Sequence, residues 1–316
     1  MPLRLSTYLK REYGEKIYRL SLSSGCVCPN RDGTTGDYGG CSFCSEGGSG
    51  EFAAVVADID TQIEEAKKLI AGKSNAKKFI AYFQSYTNTY GDPARLKELY
   101  KEAIERDDIV ALSLGTRPDC LGSDILKMLD ELNHIKPVWI ELGLQTIHDE
   151  TARHFRRGYD LPVFEESYRN LKALGITVIV HVIFGLPGES PEDMLDTVRY
   201  LAALEPPLDG IKIQNLQILK GTDMFTEWSL GTESREHFSN SASDGSESAK
   251  EGAFHIMNME EYTDLVAKAI ALLPEKTVVH RMQGDGPRRL LVAPLWSLDK
   301  KRVLNMLTRK TKGLLE

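Results

Sequence analysis

Seven short runs, nearly continuous in apolar residues, recur along the chain at 17–21, 79–83, 109–114, 138–142, 178–184, 211–216 and 278–280. Strands of a parallel sheet covered on both faces read this way, because few of their positions meet water. Between them lie segments of helical period at about 58–71, 93–106, 123–133, 163–174, 191–204 and 260–272. Some carry start signals. In Ser190-Pro191-Glu192-Asp193 the serine can accept from orphan amides, the proline has a suitable φ, and the acids favour the positive end of the helix dipole. Asp92-Pro93 reads similarly.

Six or seven βα units in series predict a parallel sheet with right-handed crossovers, either open and doubly wound or closed toward a barrel. No GxGxxG follows the first strand and no GxxxxGK[ST] occurs, which weakens dinucleotide-binding and nucleotide-hydrolase readings. With too few units for a full eightfold barrel, the expectation is an α/β fold of partial-barrel type, spanning 17–300. Residues 1–16 form a basic N-terminal segment and 301–316 a basic C-terminal helix or tail. Residues 229–252, rich in Ser, Gly and acid, predict a mobile insertion that cannot repay its ordering entropy by burial.

Composition changes this picture little. The chain has 316 residues, 41% hydrophobic, with a net charge of −7, so no global attraction to nucleic acid exists. The charge is uneven: Lys300, Lys301, Arg302, Arg309, Lys310 and Lys312 crowd one end, and Arg4, Lys10, Arg11 and Lys16 the other. No apolar run approaches the roughly 20 residues of a membrane span, and the first residues lack the apolar core of a secretion signal. No membrane association and cytoplasmic residence are the expectations.

The cysteines are Cys26, Cys28, Cys41, Cys44 and Cys120. An odd number, four of them clustered, argues for metal rather than disulfides. The cluster follows the first strand, at the carboxyl-end loop where β/α folds place their chemistry. Three thiolates on one irregular loop suit a [4Fe–4S] cube whose fourth iron is open, as binding of S-adenosylmethionine (SAM) requires. The rival from spacing is a structural zinc site made by Cys26, Cys28, Cys41 and Cys44, although Cys26-x-Cys28 is tighter than the common knuckle.

The string CPNRDGTTGDYGGCSFC (28–44) resembles the YhcC/YtqA-like radical SAM family, which carries CPNRDG…GGCxFC. The likeness continues through AYFQSYTNTY (81–90), GTRPDCL (115–121), WIELGLQT (139–146), RRGYD (156–160), FGLPGE (184–189) and DGIKIQNLQILKGT (209–222). It ends with HR (280–281) and LLVAPLW (290–296). The resemblance implies a partial (β/α)6-type TIM barrel, with Cys28, Cys41 and Cys44 on the cluster and Cys26 extra. The departure is the spacing of twelve residues between Cys28 and Cys41, where CxxxCxxC is usual; the glycines at 33, 36, 39 and 40 are expected to fold the insertion back.

The same resemblance places the SAM contacts at strand ends: Phe43 along the adenine, Gln84 at the amino group, and Glu141 and Gln145 near the ribose. His181 is expected at the ribose and Gln214, with Lys212, near adenine or substrate. Arg117 either binds a carboxylate or holds its loop through Asp119, and Arg156 or Arg157 meets the SAM carboxylate. A buried pair of Glu141 with Arg157 is the alternative for those two. Cys120 is a candidate catalytic hydrogen donor, or else a buried free cysteine. The GTRPD string is also similar to that of the Elongator catalytic subunit. That similarity points to tRNA as partner, with conversion of wobble 5-carboxymethylaminomethyl-uridine to the 5-aminomethyl form, and an external electron donor. A small metabolite or porphyrin substrate, and a non-catalytic zinc-stabilised module, stay open.

Overall fold

The computed structural model describes residues 1–35, 39–48, 57–72, 76–239 and 255–316. Among them the strands are β1 (Leu3–Arg4), β2 (Tyr18–Leu22), β3 (Phe79–Phe83), β4 (Ile109–Thr116), β5 (Val138–Gln145), β6 (Thr177–Phe184), β7 (Gly210–Asn215), β8 (Ile218–Leu219), β9 (Val278–Arg281) and β10 (Leu291–Ala293). Eight of these form one parallel sheet in the order β1-β9-β7-β6-β5-β4-β3-β2, and β8 pairs with β10 antiparallel. The helices are α1 (Leu5–Tyr13), α2 (Ile59–Ala71), α3 (Pro93–Ile104), α4 (Ser123–Asn133), α5 (Asp149–His154), α6 (Leu161–Ala173), α7 (Pro191–Ala202), α8 (Asp223–Ser239), α9 (Met259–Leu272) and α10 (Lys300–Lys310).

Every predicted strand and helix is present. At α7 the expected start is realised as a capping box: Ser190 Oγ accepts from the Asp193 amide, and the Asp193 carboxylate accepts from the Ser190 amide. Two readings need correcting. The 1–16 segment is part of the sheet system, since β1 extends it beside β9 and α1 follows. The segment read as a mobile insertion from 229 begins inside α8, which runs to Ser239; its remainder lies outside the described residues.

The sheet is strongly curled. A flat sheet would hold β2 and β9 about 29 Å apart, six steps of about 4.8 Å. Instead Arg19 of β2 reaches His280 of β9, with Nη2 to Nδ1 at 2.8 Å. The result is a half-barrel whose two sides touch through side chains.

Alternation then sorts each strand into two faces. The outward residues, such as Phe83, Leu114, Ile140, Leu142, Val180 and Ile213, are buried in one large apolar cluster with the helices α2, α3, α4, α6, α7 and α9. Burying each such side chain contributes about 1.5–3 kcal/mol. The inward residues form three levels. At the bottom Ile80, Ala111, Trp139 and Ile179 pack with Leu9 and Ile17, and with Leu5, Tyr8 and Tyr13 of α1, which closes that end. The middle level is polar, and the upper level opens into a cavity.

Candidate active site

The loop after β2 is built to hold three thiols in one place. Asn30 is its hub: its Nδ2 donates to the Arg156 carbonyl at 2.6 Å and points at Cys41 Sγ at 3.4 Å, while its Oδ1 accepts from Thr35 at 2.8 Å. Arg31 donates from Nη2 to the Cys44 carbonyl at 3.0 Å and to the Ser45 carbonyl, pinning the return turn. That turn needs glycine at 40, where φ is 89° and a Cβ would come within 3.0 Å of the Arg31 side chain. Glycine is needed at 158 as well, with φ 82° and a Cβ position 2.9 Å from Asn30 Oδ1.

Cys28, Cys41 and Cys44 line one cavity together with Phe43, Gln84, Arg117, Glu141, Gln145, Arg157, His181 and Gln214. All three predicted cluster thiols and all eight predicted cofactor contacts therefore meet in a single space at the carboxyl ends of the strands. The residue types fit an iron–sulfur cluster: all five cysteines are free, three share the cavity, and an amide N–H is aimed at one sulfur. Burial, with the neighbouring Cys44 and Cys28, pushes the Cys41 thiol up to about 12, so its thiolate needs a cation to balance it. A zinc site fits poorly. Cys26 is buried apart, facing Arg95 Nη2 at 3.6 Å, and among the described residues no three Cys, His, Asp or Glu side chains converge on one ion.

At the base of the cavity lies the polar level, with one residue from each of the strands β2 to β7. Glu141 Oε2 accepts from Tyr82 Oη at 2.8 Å, from His181 Nε2 at 3.0 Å and from Lys212 Nζ. Oε1 accepts from Ser113 at 3.2 Å and faces Arg19 at 3.6 Å. Lys212 Nζ also donates to Tyr82 Oη at 2.9 Å. Burial opposes the charge on Glu141, yet Lys212, Arg19 and the bond from His181 hold its carboxyl well below the usual carboxylate range. An ionised carboxylate only accepts, so His181 carries its proton on Nε2 and keeps Nδ1 as an acceptor. Burial, then the Lys212 charge, lowers the His181 pKa to about 4, so the ring is neutral near pH 7.

These contacts revise several expectations. Glu141 is paired with Lys212 and not with Arg157, and its oxygens accept four hydrogen bonds and face Arg19 as well. Arg157 is buried with Nε on the Tyr159 carbonyl, Nη1 on the Leu144 and Thr146 carbonyls, and Nη2 on Asp149, so it shapes the wall instead of meeting a ligand carboxylate. Arg156 turns away to Asp223. Arg117 grips Asp119 bidentately at 2.9 and 2.7 Å and reaches the Arg157 carbonyl at 2.8 Å, the loop-holding alternative. Cys120 lies in the short turn Pro118–Cys120, does not line the cavity, and has a thiol raised by burial to about 12. A hydrogen-donor role finds no support in that placement.

Gln145 owes its position to a bulge. The β5–β6 register shifts between Gly143 and Gln145, and Gln145 takes φ 66°, which turns its carboxamide into the mouth. A second space of about 650 Å³ adjoins there, sharing Phe43, Gln145, His181 and Gln214 and extending to Leu216 and Leu219. Sequence reading missed Asn30, Arg31, Tyr82 and Tyr159. The first two stand inside the CPNRDG string, which was the available signal. Tyr159 is clasped by Arg117 and Arg157 at 5.0 and 4.7 Å and donates to the Gly143 carbonyl at 2.6 Å, contacts no local pattern announces.

The description of the Radical SAM superfamily matches residues 28–201, and that of the Radical_SAM C-terminal domain matches 246–312. The chain is 36% identical to the uncharacterized protein YtqA of Bacillus subtilis (strain 168), over 97% of this chain and 88% of that protein. It is 34% identical to the protein YhcC of Escherichia coli (strain K12), over 91% of this chain and 85% of the relative. Among solved structures, the archaeal Methanocaldococcus infernus Elp3 with an N-terminal deletion shares the fold. The TM-score is 0.61 at 19% identity, covering 81% of this chain and 60% of that one.

Proposed function

The chain belongs to the radical SAM superfamily, and from that premise we propose that it modifies the wobble uridine of tRNA, converting the 5-carboxymethylaminomethyl group to 5-aminomethyl. Its cofactors are a [4Fe–4S] cluster and SAM. When bound, they supply a 5′-deoxyadenosyl radical by one-electron cleavage of the sulfonium. The observation that carries the reading of the site is the meeting of Cys28, Cys41 and Cys44 with the strand-end side chains in one cavity.

The chain's own residues then divide the work. Cys28, Cys41 and Cys44 hold the cluster, with Asn30 orienting Cys41. Gln84, at the end of β3, offers its carboxamide to the SAM amino group. His181 presents Nδ1 to a ribose hydroxyl, fixed in that tautomer by Glu141. Gln145 and Gln214, which line both adjoining spaces, contact the part of the ligand that bridges them. The buried walls exclude water from a reactive carbon species.

For tRNA the support is the likeness of Thr116-Arg117-Pro118-Asp119 to the Elongator catalytic subunit. The base would have to leave its stack to reach the cavity, as bases do in enzymes of this kind. The test compares tRNA nucleosides of a deletion strain with those of its parent. The expected result is accumulation of the carboxymethylaminomethyl form with loss of the aminomethyl form. An unchanged wobble profile would overturn the tRNA reading and leave a small metabolite or porphyrin as the substrate class.

A further inference from the structure

A second cleft lies at the open side of the half-barrel, where β1, β9 and the start of α10 meet. Its polar lining includes Arg4, His280, Gln283, Arg281, Asp285 and Lys300, and Leu304 adds an apolar wall. Three permanent cations thus face one carboxylate, in a chain whose net charge is −7. The carboxylate is shared: Asp285 lies 3.0 Å from Lys300 and 3.9 Å from Arg281. Arg4 donates to the neutral hydroxyl of Thr311 at 3.0 Å and makes no ion pair among the described residues.

Two other basic residues near the chain ends are neutralised: Lys310 is held between Glu260 and Asp264 at 2.7 and 2.6 Å, and Arg11 pairs with Glu316. The three cations of the cleft come from three separated stretches of sequence.

The cleft is also next to the chemistry. His280 in its wall bonds Arg19 at 2.8 Å, and Arg19 faces Glu141, which lines the cofactor cavity, at 3.6 Å. Beyond β9 the chain crosses to the top of β7, where the Gly284 amide donates to Asn215 Oδ1 at 3.1 Å. Three side chains in series, His280, Arg19 and Glu141, thus link the wall of the cleft to the cofactor cavity.

We infer that this cleft holds backbone phosphates of a polynucleotide substrate, with Lys300, Arg281 and Arg4 as the anion-binding groups. The inference rests on the tRNA reading and deepens it. Phosphate alone would use only the cations; a polynucleotide also supplies ribose and base faces for Leu304, half-exposed at the cleft wall.

The test measures binding of an unmodified tRNA transcript to the full chain at several salt concentrations, for the parent and three variants. Lys300→Glu is expected to weaken binding about tenfold and to flatten the salt dependence by roughly one phosphate contact. Asp285→Asn removes the competing anion and is expected to tighten binding several-fold, an effect that misfolding cannot produce. Lys301→Glu makes the same charge change one residue along α10, outside the cleft lining, and is expected to change affinity less than about threefold. If Lys300→Glu and Lys301→Glu weaken binding equally, or Asp285→Asn weakens it, the cleft is not the contact. Inorganic phosphate that binds the parent but not Lys300→Glu, while tRNA affinity ignores the substitution, would overturn the polynucleotide in favour of a small phosphate. An altered nucleoside profile in the deletion strain with no response to these variants would sink the cleft and leave the tRNA reading standing.

Discussion

The molecule contains the same ion pair in two settings. On the helical jacket, Lys97 of α3 meets Glu131 of α4 at 2.5 Å, with both side chains about 40% exposed. Inside the half-barrel, Lys212 of β7 meets Glu141 of β5 with neither accessible to solvent. Outside, water solvates each partner and the pair contributes little. Inside, each charge has been stripped of water, and the pair is tolerable only because Tyr82, Ser113, His181 and Arg19 complete the set of partners. Identical chemistry is therefore decoration on one face of the sheet system and a constraint on the other.

The sharpest way to break that contrast is Glu141→Ala, which leaves Lys212 and Arg19 as uncompensated buried cations. A loss of about 3–5 kcal/mol is expected in urea unfolding, with most of it recovered when Lys212→Met is added. A loss below about 1 kcal/mol would mean the interior level is wetter than its contacts imply.

Next in size is a pH effect. His181 is depressed from the usual value to about 4, by burial and then by Lys212. Between those values the unfolded chain binds more protons than the folded one, so stability is full above about 6.5 and falls as pH drops toward 4. The expected span is about 3 kcal/mol. Other acids titrate in the same range, so the readout is the difference between parent and His181→Gln. Parallel stability curves for the two proteins would contradict the burial of a neutral imidazole.

Lys97→Ala should shift stability by no more than about 1 kcal/mol and should do less still in high salt. A larger, salt-insensitive change would erase the distinction between the two pairs.

The outer face of the sheet was legible in the chain because its residues, from Phe83 to Ile213, sit in near-continuous apolar runs that only doubly covered strands tolerate. The inner face was legible only in part. Glu141, His181 and Lys212 were visible as polar interruptions, but their mutual pairing was not, since Lys212 lies 71 residues from Glu141 and meets it only after curling. Hence the Glu141–Arg157 pair, weighed as the alternative for those two residues, is not the one that forms. The meeting of Cys28, Cys41 and Cys44 in one cavity was readable from CPNRDG and GGCSFC because residues of one loop are local. The roles of Arg117 and Arg157 were not, because a guanidinium that holds a loop and one that awaits a ligand look alike until their carbonyl partners are placed. Helix α1 was missed because only Leu5, Tyr8, Leu9 and Tyr13 mark its apolar side, too few to stand out beside five charged and polar neighbours.

The floor made by α1 and Trp139 closes one end of the half-barrel, so the cofactor cavity opens at the other, where the carboxyl ends of the strands form a rim. A macromolecule resting on that rim would act as the lid. With the polynucleotide of the proposed function seated there, the small cosubstrate would have to enter first, and the spent fragments would wait until the large partner lifted away. Turnover would then be paced by departure of the large partner, whatever the speed of the chemistry beneath it.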